Sequence, residues 1–517
     1  MKVSATSHLA IRNRVGSSKS HLNSRGRRVS TTSLVAAHSA VKRAHQNQIH
    51  ETTFSGVPGT LLSSTSSFRA RIEAGSLTKI QGGTLRFNIT VSGAVARLVS
   101  PVWWFDRITV FGSGGSKELS TIYDINLFHG LLNLGKDCRR AAGLNQTWCS
   151  DDLILANGQT KEFYLPMPVH LLSEIYMQLK GDLVLHLHPH GNVVAEGSGV
   201  VTVNSMSFIT NTVSLTEQDA IVHRSLHKTR ILSTHYLEPT RISTNNVTLT
   251  RGQEHKESLE NFNGAYSYIL CGIRVTGTTS ANDGHSQFVS LGPRGSVDVK
   301  SSGNSSLFGS GTPVAERFLR TVLAQRHYPN SDLYSCKALY MIPLTDNARI
   351  ADIGGRSGCY YFNSERAHLC LTPDAAASVN QVYTITLSAG LAASYYFLFR
   401  GMASSTIVHN AAVGVMQTTL AAMKPFRNAK GRTPTFACSA TAAAGTSFTI
   451  SVTCDDPEQV LGNDLITVVT QEAKTSASSL TTIGQAGFTS GTFDLVTIGM
   501  KQSVLHLLDG NLVTEDA

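Results

Sequence analysis

No aspartate or glutamate occurs in the first fifty positions of this 517-residue chain, yet nine cations do: Lys2, Arg12, Arg14, Lys19, Arg25, Arg27, Arg28, Lys42 and Arg43. Taking those nine away leaves 35 basic and 35 acidic residues, so the body is formally neutral and the whole net charge of +9 sits in the N-terminal segment. Such asymmetry points to a tail that meets a polyanion or an anionic surface. Charge is scarce overall, at 15% of residues, and interfaces between copies of a chain are depleted in charge at their cores. A membrane-spanning helix is not evident, because the most apolar stretch, 385–403, is broken by Ser388, Ser394 and Arg400 and reads as strand–turn–strand. The start lacks the compact apolar segment of a secretory signal, while its Arg- and Ser-rich, acid-free character also fits an organelle transit peptide.

The catalytic signatures are missing as well. There is no G-x-S-x-G, so no strand–turn–helix elbow exposes a serine. Gly112-Ser-Gly-Gly-Ser-Lys117 lacks the spacing of a phosphate loop and reads as a hairpin turn. Paired carboxylates and aromatic sugar platforms are not apparent, and two of the three tryptophans, Trp103 and Trp104, are adjacent in a core-like strand. The eight cysteines form no C-x-x-C pair, so buried reduced thiols are expected; Cys438 and Cys454 flank a hairpin and are the pair expected to lie closest. His186, His188 and His190 share one face of a strand. That pattern admits a zinc or copper site, but no Cys or carboxylate stands nearby at ligand spacing, so rim histidines or a pH-sensitive subunit contact are preferred. Asp455 and Asp456 would point to opposite sides of a strand and read as a solvated turn rather than a calcium site. The expectation is a non-enzyme with no catalytic residues, no cofactor and no metal.

What is present is β structure. Residues 1–50 have no hydrophobic periodicity and form a flexible arm. In Leu85-Arg-Phe-Asn-Ile-Thr-Val91 every second residue is apolar, which is the signature of a half-buried strand. Further strands are expected at 102–111, 161–165, 177–188 and 200–215. Residues 216–240 are polar and read as a connector. A second series follows at 247–249, 266–275, 287–299, 333–342, 359–362, 368–371 and 383–399. Pro313 to Arg326 carries helix-start chemistry, with Thr312 as N-cap, Pro313 at the first position and Glu316 in the first turn. A second helix is predicted over 406–423, where Val408, Ala412, Val415, Met416, Thr419, Leu420 and Met423 share a face and Pro425 stops it. Lys424, Arg427, Lys430 and Arg432 follow as a candidate second basic patch, within a stretch free of acids from Ala375 to Cys454. Strands at 447–454 and 465–470 close the pattern. The fold class is thus all-β, two tandem jelly-roll β-sandwiches with a basic arm (1–50), a first module (51–215), a connector (216–240), a second module (241–402) and a C-terminal extension (403–517).

Several segments also resemble a known family. These are Val102-Trp-Trp-Phe-Asp-Arg-Ile-Thr-Val-Phe111 with its Gly-Ser turn, and Phe163-Tyr-Leu-Pro-Met-Pro-Val-His-Leu-Leu172 leading into Tyr176-Met-Gln-Leu-Lys180. In the second module they are Thr312-Pro-Val-Ala-Glu316, the strand from Leu333 to Pro343, and Gly358-Cys-Tyr-Tyr-Phe-Asn-Ser364 followed by Ala367-His-Leu-Cys-Leu371. Over roughly residues 51–402 the chain looks like a double jelly-roll major capsid protein of eukaryotic DNA viruses, in the polinton-like virus and virophage branch. The extension and a turn at Arg356-Ser357 poor in Asn depart from that pattern. The resemblance implies homotrimers whose six jelly rolls form a pseudo-hexagonal capsomer, tiled into an icosahedral shell around a DNA genome. Partners would be other capsomers, penton and minor capsid proteins. The location would be the virion, after synthesis in the host cytoplasm or nucleus.

The arm, through Arg12, Arg14, Lys19, Arg25, Arg27, Arg28, Lys42 and Arg43, would meet packaged DNA, internal lipid or neighbouring subunits; guanidinium groups serve DNA and lipid phosphate equally well. Two other readings stand beside this one. A single jelly-roll shell protein of an RNA virus would carry a projecting second β-domain unlike the first, and a carbohydrate-binding or hydrolytic β-sandwich would carry sugar platforms or paired acids.

Overall fold

The computed structural model describes residues 46–516 apart from 58–59, 62–66, 73–77, 99–100, 102–103, 126–153, 168–174, 177–181, 191–192, 215–231, 277–288, 302–304, 308–312, 316–317, 320–338, 345–358, 364–365, 388–393, 424–425, 427–433, 442–445, 455–460, 471–475 and 509–510. Each strand pairing found among these residues is antiparallel, so one face of a sheet can be apolar and the other wet.

The first module is two facing sheets. In one, Thr78–Ser92 lies beside Val200–Ser214, which also carries Gln46–Thr53; Thr160–Pro166 pairs on the other side of Thr78–Ser92. In the other, Leu183–Pro189 lies between Phe68–Ile72 and Phe105–Gly112, and Lys117–Tyr123 extends the edge. The alternation read from Leu85 to Val91 is realised: Leu85, Phe87, Ile89 and Val91 are fully buried. Their core is aromatic, with Phe87, Trp104 and Phe163 at mutual ring separations of 5.3–5.5 Å. Residues 112–117 form the expected turn, made possible by positive φ at Gly114 and Gly115.

The second module is built around two long strands. Leu232–Leu249 pairs along its length with Gly491–Leu508, which continues through Gly264–Val275 to Leu339–Pro343. A smaller sheet, His255–Ser258, His368–Thr372, Ser296–Lys300 and Val314–Ala315, closes the sandwich. The connector therefore ends sooner than its composition suggests, since the strand has begun by Leu232. Pro239 sits within it, which an edge strand tolerates because the lost N–H faces away from the ladder.

Residues after 402 are not an appendage. Between His368–Thr372 and Gly491–Leu508 the chain leaves the jelly roll and builds a third, smaller sandwich. Its sheets are Phe436–Cys438, Ser447–Val452, Gln381–Thr386 and Ala477–Thr482 on one side, and Met402–Ala403, Tyr395–Phe399 and Thr467–Thr470 on the other. Its core is its own: Tyr383, Ile385, Phe397, Phe399, Met416, Leu420, Phe448 and Ile450 cluster together. The strands at 381–386 and 395–399 belong to this unit and to its opposite sheets, although in sequence they read as one continuation of the second module. A short paired stalk joins the unit to the jelly roll. Val379 and Gln485 exchange both backbone hydrogen bonds at 2.9 Å, and the Phe488 N–H donates to the Ala376 carbonyl at 3.0 Å. Inside the unit the buried Gln381 amide donates to Tyr383 Oη and the Gly462 carbonyl, both at 2.7 Å, and accepts from the Leu461 N–H. A buried amide with all these bonds made fixes the 461–464 turn in place.

Both predicted helices change. Val314–Ala315 is a strand pairing with Ser296–Lys300, not a first helical turn; the pair Val297 and Val314 packs in the second core, and tertiary burial overrides the local start signal. Phe318 and Leu319 beyond it are helical, and Thr312 and Glu316 lie outside the described residues. The other helix is Val413–Ala421 rather than 406–423. Ile407 instead bridges to Tyr395 and extends a sheet edge. Met416, Leu420 and Met423 are buried as expected, while Val408 and Val415 face solvent.

Cys438 and Cys454 are not joined by a disulfide. The hairpin between them exists, but its register sets Cys438 opposite Ile450, four residues short of Cys454. Four strand residues span about 13 Å, beyond the roughly 7 Å a disulfide bridges. Burial pushes the Cys438 thiol up to about 11, which removes the attacking thiolate. Treatment of the native protein with a mild oxidant should give no Cys438–Cys454 cross-link in a non-reducing peptide map.

Candidate assembly surfaces

The two modules meet through a sheet that is buried on both faces. Along Gly491–Leu508, Phe493 and Leu495 point into the second module's core, while Val496, Ile498, Met500 and Leu505 join the cluster that holds the first module's core. The neighbouring strand behaves alike, with Ile269, Cys271 and Ile273 on one side and Tyr268 and Leu270 on the other. Tyr236, Leu237 and Met341 complete the shared apolar contact. Two jelly rolls joined through a continuous core move as one body.

A buried ion cluster lies at the same junction. Asp124, at the end of Lys117–Tyr123, is 4% exposed and adopts φ 46°. Arg274 Nη2 donates to its Oδ1 at 3.0 Å, and Arg241 Nε lies 3.0 Å from its Oδ2. The Arg241 guanidinium also sits 5.1 Å from the centre of the Tyr123 ring. One carboxylate from the first module thus holds two guanidiniums from the second. Nothing in the sequence marked these three residues, which are about 120 and 150 positions apart.

The histidine run lies on Leu183–Pro189, where His186 and His188 are half-exposed on the outer face of the sheet. Across the strands, His186 is opposite Arg69 and Thr109, and His188 is opposite Arg107. The ring of His186 rests 4.6 Å from that of Phe111. Partial burial pushes both imidazoles below their ordinary range, and Arg69 and Arg107 push them further. His190 is pushed down mainly by burial, close to Asp106, Arg274 and Asp124. Among the described residues no group of three His, Cys, Asp or Glu side chains is placed to hold a metal ion.

The arm residues Arg12, Arg14, Lys19, Arg25, Arg27, Arg28, Lys42 and Arg43 lie outside the described residues, as do Lys424, Arg427, Lys430, Arg432, Asp455 and Asp456. The root of the arm is described. Gln46–Thr53 forms an edge strand whose first residue pairs with Ser214, so the chain enters the first module at the end where Val200–Ser214 leaves it. Phe426 is buried against Phe399 at 4.9 Å, which anchors the chain between Lys424 and Arg427.

No family model matches the sequence, and no curated protein does. Solved structures similar in fold include two that cover almost the whole chain. One is the PBCV-1 virus capsid, as a quasi-atomic model, at TM-score 0.53 and 12% identity over 92% of this chain and 98% of that chain. The other is the crystal structure of PBCV-1 VP54 fitted into a cryo-EM reconstruction of the virophage Sputnik, with the same score, identity and coverage. At this identity the likeness concerns the fold, which is the double jelly roll that the sequence resemblance implied.

Proposed function

We propose that the chain is the major capsid subunit of an icosahedral DNA virus, acting as a structural protein without catalysis. The observation that carries this reading is the pair of jelly rolls locked into one body through a shared core, in a fold similar along almost its whole length to that of the PBCV-1 virus capsid. Three such bodies supply six comparable sandwiches, which is what a pseudo-hexagonal capsomer with threefold symmetry needs. The low charge and formally neutral body suit close lateral contact between capsomers. Other copies of the chain, penton proteins and minor capsid proteins would be its partners. The basic arm would lie beneath the shell, against packaged DNA or an internal lipid surface, with the 424–432 patch as a smaller second contact. The second module is a jelly roll in its own right rather than an unrelated projecting domain, which favours this reading over a single jelly-roll RNA-virus shell.

The test is mass and shape in mild buffer. Native mass measurement should give a homotrimer, and negative-stain images should show pseudo-hexagonal particles with both jelly rolls upright. Stable monomers at high concentration would overturn the proposal.

A further inference from the structure

The outer face of the sheet that carries the histidine run is left unexplained by a shell role. Its centre is a grid of four basic side chains on three adjacent strands: Arg69 opposite His186, and Arg107 opposite His188. Directly opposed Cβ atoms lie about 5 Å apart and same-face neighbours along a strand about 7 Å apart. The four side chains therefore form a zigzag, Arg69–His186–His188–Arg107, with the two long arginines at its ends able to reach in toward the pair of imidazoles. Other arginines in this part of the molecule are engaged by carboxylates, Arg71 by Asp182 and Arg86 by Glu51 and Glu162. Among the described residues, by contrast, no carboxylate lies within ion-pair distance of Arg69 or Arg107, and Arg107 Nε is buried without a hydrogen-bond acceptor. The charge decides the sign of the ligand. Two permanent guanidinium charges beside the imidazoles repel a metal cation and attract an anion.

We propose that Arg69, His186, His188 and Arg107 form a binding site for a phosphoryl group. A tetrahedral phosphoryl dianion carries more charge than a carboxylate and offers acceptors in several directions rather than in one plane, so it can be met by two guanidiniums and two imidazoles at once. The ring of Phe111 holds His186 in place, and the edge next to Arg107 is closed by Tyr123 with Arg241 above it. The charged and titratable groups facing the two imidazoles are Arg69 from one neighbouring strand and Arg107 and Asp106 from the other. Asp106 is the single carboxylate among them and opposes anion binding.

The pH dependence has a definite sign. In the free protein both imidazoles are held below their ordinary range, so near neutral pH they are uncharged. A bound anion favours their protonated forms, so the imidazoles take up protons on binding and their contribution to affinity grows as pH falls. Affinity is lost again as pH rises through the raised values of the complex.

The experiment is calorimetric titration of the full chain with inorganic pyrophosphate at about pH 7.5 and about pH 5.5. Pyrophosphate itself gains a proton between these two pH values, so the protein's part is read relative to H186Q/H188Q: the wild type should gain about tenfold in affinity over that variant at the lower pH. R69Q/R107Q should abolish binding, D106N should strengthen it, and H186Q/H188Q should leave the neutral-pH affinity while removing the gain at the lower pH. R25Q/R27Q/R28Q, which weakens the arm, should change nothing, separating this site from the proposed capsid role of the arm. Should R69Q/R107Q fail to fold, R69K/R107K keeps the charge, loses the forks, and should weaken binding. Undiminished binding in the folded arginine variant, equal loss in the arm variant, or preference for an acidic peptide over pyrophosphate would each overturn the assignment.

Discussion

Replacing Asp124 by asparagine should destabilise the folded chain by about 3–5 kcal/mol, toward the lower end because one partner is partly hydrated. Asn keeps the size of the side chain and tolerates the left-handed backbone found here, at φ 46°, so the substitution removes little except charge. It leaves the guanidiniums of Arg274, at 5% side-chain exposure, and Arg241, at 30%, facing each other with no carboxylate between them. The loss should appear in the denaturant midpoint. Because the cluster spans the junction, unfolding of the variant should separate into two transitions if the ions couple the modules. The triple variant D124N/R241M/R274M should recover much of the loss, since an apolar substitute for a complete buried ion cluster is often neutral. A single D124N transition at the wild-type midpoint would show that the apolar contact through Ile498 and Met500 suffices alone.

The same junction explains which strands could be read in the sequence and which could not. Leu85 to Val91 faces a core on one side and solvent on the other, and its alternation is plain. Gly491–Leu508 is as long as any strand described in the molecule, yet it carries no such pattern. From Phe493 to Met500 every residue is buried, alternate ones serving two different cores. A strand buried on both faces has no period to detect. The third sandwich was hidden for a different reason. Gln381–Thr386 and Tyr395–Phe399 read as one strand–turn–strand, as they would in a hairpin. They pair instead with Ser447–Val452 and Thr467–Thr470, more than sixty residues away. Local pattern gives the strands but not their partners.

Site residues followed the same division. The His186–His188 repeat was visible because its two members lie on one strand. Arg69 and Arg107, which change its meaning from cation to anion, come from strands far apart in sequence and reach it only through sheet register. Asp124, Arg241 and Arg274 left no local trace at all.

Deleting the arm should remove most of the binding of the chain to duplex DNA while leaving its melting behaviour nearly intact. Nine cations with no anion and little apolar surface cannot offset the entropy of ordering such a segment, so the arm adds little to the stability of the body. The cut belongs after residue 45, not after 50. Gln46–Thr53 pairs with the Val200–Ser214 strand from Gln46 to Thr53, and removing five of those residues would strip a sheet edge and confuse loss of binding with loss of structure. All nine cations lie before that point. If each engaged a phosphate, the log–log dependence of affinity on salt would approach a slope of roughly −8, and partial engagement would give a shallower one. The pyrophosphate site proposed on the first module should survive the deletion, because none of its residues is in the arm. A truncated chain that binds DNA with an unchanged salt slope would move the polyanion contact to the body. An arm reached by protease on the outside of an intact particle would contradict the proposed place beneath the shell.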